Sequence, residues 1–322
     1  MASNINIASG AHPNYAAEDA DVVLVSSDNV VFHVHSLMLR EASTVFENMV
    51  RMPAPQDIEK QPTDNTIKLD EPAFVVEFLM DSIYPRDKFP TVSNYAEAWE
   101  IAKAADKYLL GRALTVLRGF VLQNEQLRGQ TLRLYNLACK CHWTDVIESS
   151  SKASLDKPLL NLRYMEPEVE EQFFELSKAE AQRLLRLHKN RAKVILRFDA
   201  EDLTTWLHTI DDDGSGKMES LWWCPDPHDC GAMYFDEEVN IALVSLKNEL
   251  QNYVDREPVA SALSDRKSFK DLFRQLMRIS TFKRLRCDSC KTPLMDEETV
   301  WKYFQAVMPD LPVTVSDFET EA

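Results

Sequence analysis

Residues 21–49 constrain the fold more tightly than any other stretch. Asp21-Val22-Val23-Leu24-Val25 is an apolar run closed by Ser26-Ser27-Asp28-Asn29, and Val30-Val31-Phe32-His33-Val34 follows directly. Two β-branched runs around a short polar turn predict a hairpin, because branched side chains fit a pleated surface and the polar residues tolerate turn geometry. Leu37-Met38-Leu39 then opens a short helical piece. Ser43 stands where an N-cap belongs, ahead of Val45, Phe46, Met49 and Val50. Folded together, these elements bury Val22, Leu24, Phe32, Leu39 and Phe46. Asp21 before one strand and His35 after the other predict a partly buried polar pair.

The pattern continues as an α+β module over residues 19–125. Residues 1–18 are small and polar and read as a loose arm. Prolines at 53, 55 and 62 mark a surface loop, and Thr66-Ile67-Lys68-Leu69 is a short strand. Pro72 suits a first helical turn before Phe74, Val75, Phe78 and Leu79, and Tyr84-Pro85 ends that helix. Tyr95, Ala98, Trp99, Ala102 and Ala105 mark a second helix; Val116, Leu117, Phe120 and Val121 mark a third.

Beyond residue 125 the signal is helical, first as an extension over 126–208 and then as a region over 209–322. Leu132, Tyr135 and Ala138 recur at helical spacing, and Cys139 and His142 continue the stripe. Asp156-Lys157-Pro158 breaks it. A long helix is expected over 177–198, where Ser177 and Glu180 make a capping box. Residues 235–255 and 265–282 are helical by pattern.

Composition removes several function classes. At 322 residues the chain has room for about two domains of roughly 150 residues each. Its net charge of −16 works against capture of a phosphate backbone, which argues against nucleic acid, and Lys283-Arg284-Leu285-Arg286 reads as a solvated helix end. Glycine occurs seven times, with none between Gly10 and Gly111, and no phosphate-cradling motif is present. No apolar run has the length of a membrane span, and the first residues lack the organisation of a secretory signal. The expected setting is therefore intracellular, in cytoplasm or nucleus. No nucleophile elbow, metalloprotease helix or paired-carboxylate arrangement marks an enzyme.

In a reducing compartment, cysteine pairs read better as metal ligands or plain thiols than as disulfides. Cys287 and Cys290 have chelate spacing for tetrahedral zinc, with Cys224 and Cys230 as a second knuckle and His228 as an alternative ligand. Five residues separate Cys224 from Cys230, and 56 separate Cys230 from Cys287, both long for such a site. Two unrelated thiol pairs or a disulfide remain the other readings. Closed four-ligand coordination would staple the fold and leave no position for a reactive water. Cys139 and Cys141, two apart on a helix, read as packing. Asp211, Asp213, Ser215 and Gly216 resemble the start of a calcium loop, but position twelve is Trp222 rather than a bidentate glutamate, so the segment reads as an acidic turn.

Asp21 with its strand, Phe32 and His35, Leu39, Ser43 and Phe46, in this order and spacing, resemble the signature of the BTB/POZ family. Ile67-Lys68-Leu69, Phe74, Phe78-Leu79 through Ile83-Tyr84 and the 102–109 helix are similar to its second half. The resemblance implies a short β-sheet with flanking helices and a non-catalytic scaffold or adaptor. The partners it implies are a second copy of the chain as a homodimer, another BTB protein, corepressors, or the cullin-3 ubiquitin ligase. A zinc-containing transcription-related regulator is a further alternative. Where the family carries a basic residue after the histidine this chain has Ser36, and the loop at 52–56 lacks the glutamate of the cullin motif. Leu134-Tyr135-Asn136-Leu137-Ala138-Cys139 resembles the extension of BTB proteins expanded in mushroom-forming fungi.

Overall fold

A computed structural model describes residues 10–52, 65–85, 90–195, 221–223, 232–234, 265–276 and 297–317, with single positions at 248, 249, 252 and 278. The chain divides into two compact units, Met1–Trp143 and Thr144–Ala322.

The first unit is built on a mixed sheet in the order β1-β3-β2-β4, from β1 (Ala11–Ala16), β2 (Val22–Val25), β3 (Val31–Val34) and β4 (Thr66–Lys68). β2 and β3 form the expected antiparallel hairpin, with Val22 opposite Val34 and Leu24 opposite Phe32. Those four side chains share one face and are buried, as a two-residue period requires. The turn is a three-residue loop in which Asn29 takes the left-handed conformation (φ 63°), one that Asn tolerates better than other non-glycine residues. Asp28 reaches out of that turn to accept from the Ala73 amide at 2.9 Å. It thereby caps α3 (Ala73–Ile83), whose own N-cap, Pro72, makes no side-chain cap. Helix α3 buries Val75, Val76, Phe78, Leu79, Met80 and Ile83, almost all round, and so lies inside the unit.

Residues 11–16 correct one expectation. The arm through residue 18 is a strand at this point, parallel to β3, although Tyr15 is the one usual strand former in its sequence AHPNYA. Long-range side-chain contacts hold it. Tyr15 is buried and donates to Asp81 Oδ1 at 2.6 Å, and the His12 ring stacks on Phe32 with centroids 4.8 Å apart.

Two short helices, α1 (Ser36–Ala42) and α2 (Thr44–Arg51), follow the hairpin. Ser43 caps α2 as expected, accepting from the Phe46 amide. Helices α4 (Tyr95–Lys107), α5 (Gly111–Gln123), α6 (Glu125–Gly129) and α7 (Thr131–Cys141) complete the unit. The α4–α5 corner is a Schellman turn: Leu110 N bonds Ala105 O and Leu109 N bonds Asp106 O. Leu109 holds the left-handed position at φ 52°, where glycine is the usual residue. The stripe on α7 stops earlier than its spacing suggests. Leu132, Tyr135 and Ala138 are buried, but His142 is an exposed left-handed C-cap (φ 57°) rather than part of the face.

The second unit contains α8 (Thr144–Ser154), α9 (Pro167–Phe174), α10 (Lys178–Ile195), the antiparallel pair β5 (Leu221–Trp223) and β6 (Ala232–Tyr234), α11 (Arg266–Leu276) and α12 (Glu297–Val307). The capping box forms, with Ser177 N bonded to Glu180 Oε2 and Glu180 N to Ser177 Oγ. Phe269 of α11 packs on Phe273 of its own helix and on Trp301 and Phe304 of α12. Arg266 lies over the Trp301 ring and pairs with Glu297 and Glu298.

Candidate interaction site

The six signature residues separate into two groups by burial. Phe32, Leu39 and Phe46 are fully buried and Ser43 nearly so, which makes them framework. The Ser43 hydroxyl has two partners: its oxygen accepts from Phe46 N, and its proton goes to the Tyr108 carbonyl. Phe46 stacks on the Tyr108 ring at 4.7 Å and 12°. One hydroxyl and one ring therefore fasten the start of α2 to the end of α4. Tyr108 in turn donates to Glu71, which also receives Lys107, and burial together with Glu71 keeps the phenol protonated.

Asp21 and His35 form the second group, near the surface, and they do not pair with each other through a hydrogen bond. Asp21 accepts instead from the amide and the hydroxyl of Ser36. Partial burial works upward on its carboxyl, but the two Ser36 bonds, its own amide and nearby His35 together hold the pKa below the ordinary value. His35 turns the other way, with Nδ1 3.1 Å from the Tyr84 hydroxyl and Nε2 3.4 Å from Asp19. Ser36 carries information that its being non-basic concealed: it is the donor that anchors Asp21 at the head of α1.

Large apolar side chains stand in solvent around this framework. Leu37 on α1 is 61% exposed, Met52 after α2 is 69%, and Leu109 is 60%. These positions were invisible to periodicity, because short helices give too few turns to separate a face from its back. Among the described residues no group of three or more His, Cys, Asp or Glu is placed to hold a metal. Cys139 and Cys141 form no disulfide among the described residues; burial pushes the Cys141 thiol up to about 12, so it is not a nucleophile at neutral pH.

Cys224, His228, Cys230, Cys287, Cys290 and the 52–56 loop beyond Met52 lie outside the described residues, as does the acidic turn at 211–217. What is described beside them is the β5–β6 pairing, in which Trp223 faces Ala232. Among the described residues no helix is long and apolar enough to cross a membrane.

Residues 14–125 match the family model of the BTB/POZ domain, which covers about a third of the chain. No curated protein matches the sequence.

Proposed function

We propose that the BTB/POZ domain carried by residues 14–125 makes this chain a non-catalytic scaffold or adaptor that assembles first with a second copy of itself. BTB/POZ is a protein-interaction family and not a known enzyme family, and its members commonly self-associate or bind other proteins. The observation that carries the self-assembly is the BTB/POZ match over residues 14–125, and Leu37, the second residue of α1 and mostly in solvent while Leu39 fills the core, offers an apolar contact point for it. Sedimentation equilibrium of the full chain should give a dimer. Leu37→Asp should weaken it by about ten-fold or more, because a buried carboxylate at a contact is left unpaired. A chain that stays monomeric at high concentration ends the proposal.

Two finer readings stand beside it. Recruitment of cullin-3 is the adaptor alternative, and Met52, exposed at the start of the glutamate-free loop, is the residue it would use. A pull-down with purified cullin-3 N-terminal domain that fails with the dimeric protein removes it. A structural zinc on Cys224, Cys230, Cys287 and Cys290, with His228 as alternative, rests on the chelate spacing in the sequence, and the described β5–β6 pairing of Trp223 with Ala232 is compatible with it. Elemental analysis should give one zinc per chain, and Cys287→Ser should lose it along with folded second-unit signal. A Cys287→Ser chain that keeps zinc ends that reading and the zinc-regulator alternative with it.

A further inference from the structure

The second unit buries a polar cluster that the interaction reading leaves unused. Ser151 and Ser154 on α8 and His188 and Arg191 on α10 are all buried. Ser154 donates its hydroxyl to the Ser151 carbonyl at 2.6 Å, and its oxygen lies 3.2 Å from His188 Nε2. With the serine proton committed, Nε2 is the donor to Ser154. Arg191 donates from Nη1 to the Pro312 carbonyl at 2.9 Å, and among the described residues its buried Nε has no hydrogen-bond partner. The segment that supplies this carbonyl returns to α8 at Val315, whose amide donates to Ser151 Oγ at 3.3 Å. Leu311 and Val315 are buried, Val313 between them is exposed, and Asp317 curls the segment by accepting from the amides of Val313 and Thr314.

We infer that residues 311–317 form a strap that closes on the Ser151–Ser154–His188–Arg191 cluster and is released when His188 takes up a proton. Each attachment of the strap is short-range and uncharged on the strap side: two apolar plugs, one carbonyl and one amide. A proton on His188 puts a second cation beside Arg191 in a water-excluded site. The surrounding charges do not compensate. Asp156, just beyond α8, is exposed and acts on Arg191 through space. On α12, which also packs against α10, Glu297 and Glu298 are engaged by Arg266, and Lys302 is exposed. Lys152 and Lys189 are exposed on their own helices, and Asp317 is engaged by the strap's own amides. Opening the strap relieves the cluster by admitting water.

The sign follows from burial. Desolvation first, and Arg191 second, lower the His188 pKa from 6.5 to about 4 while the strap is closed. Rehydrated in the open form, the ring titrates near its ordinary value of about 6.5. The closed form is favoured fully above about pH 6.5 and loses ground as pH falls toward 4. Between pH 7.5 and 5.0 the closing constant should fall about thirty-fold.

Hydrogen exchange with mass spectrometry on the full chain, corrected for intrinsic rates, tests this at those two pH values. Protection across 311–317 should drop by about thirty-fold, while the first half of α10 keeps its protection. His188→Gln should abolish the pH response. Ser151→Ala, which removes the Val315 acceptor and keeps the imidazole, should lower strap protection at pH 7.5 yet retain the response. The inference is overturned by pH-independent protection in the unmodified chain or by an unchanged response in His188→Gln. Loss of α10 protection in step with the strap overturns it as well, since that is unfolding of the unit.

Discussion

The unit ending at Trp143 and the unit beginning at Thr144 bury polar groups by different means. In the first, the buried Ser43 hydroxyl is neutral and satisfied on both sides by main chain. Its charged contacts, Asp21 with Ser36 and Lys107 with Asp70 and Glu71, lie at or near the surface. The second buries a guanidinium and an imidazole in one cluster with Ser151 and Ser154, and among the described residues the guanidinium donates to the Pro312 carbonyl. A neutral, fully paired site holds one geometry across a wide pH range. A site with one buried cation and one titratable neighbour is stable in one charge state only. The first unit therefore suits a fixed framework, and the second carries the element that can be released.

The comparison breaks most visibly at the aromatic stack. Phe46→Ala removes a fully buried ring from the α2–α4 junction and should cost about 4 kcal/mol in urea unfolding of the first unit. A cost under 1 kcal/mol would mean the junction is not the framework described. Ser43→Ala is the next test. It deletes a helix cap and leaves the Tyr108 carbonyl buried without a partner, for a loss of about 2 kcal/mol with no dependence on pH between 5 and 8. A pH-dependent loss would blur the distinction between the units. Smallest and of opposite sign, Leu109→Gly should raise the melting stability by about 1 kcal/mol, since it relieves a left-handed leucine in a Schellman turn. If that variant also weakens self-assembly, exposed Leu109 belongs to the contact surface beside Leu37.

Legibility varied with the range of the interactions. The hairpin, the Ser43 cap and the Ser177–Glu180 capping box are specified by residues within a few positions of each other, and each forms as read. Strand β1 was not legible, because Tyr15 and His12 are held by Asp81 and Phe32 from elsewhere in the chain. His142 was assigned to a face by spacing alone, whereas the backbone reverses there. Asp21 was recognised but its partner was not: on the strand pattern His35 looked nearest, and the start of α1 turns Ser36 into place instead.

The amino-acid sequence determined the class of the first unit, since two alternating runs, a polar turn and a cap admit few packings. It also determined what the chain lacks for phosphate chemistry, through scarce glycine and net negative charge. Tertiary structure decided which apolar residues remain in solvent, because Leu37 and Leu39 are alike in sequence and separate only when a helix face meets a core. It likewise decided that Ser154, His188 and Arg191 share one buried site with the 311–317 strap. Burial fixes the protonation state of His188, and burial is a property of neighbours that lie far away along the chain.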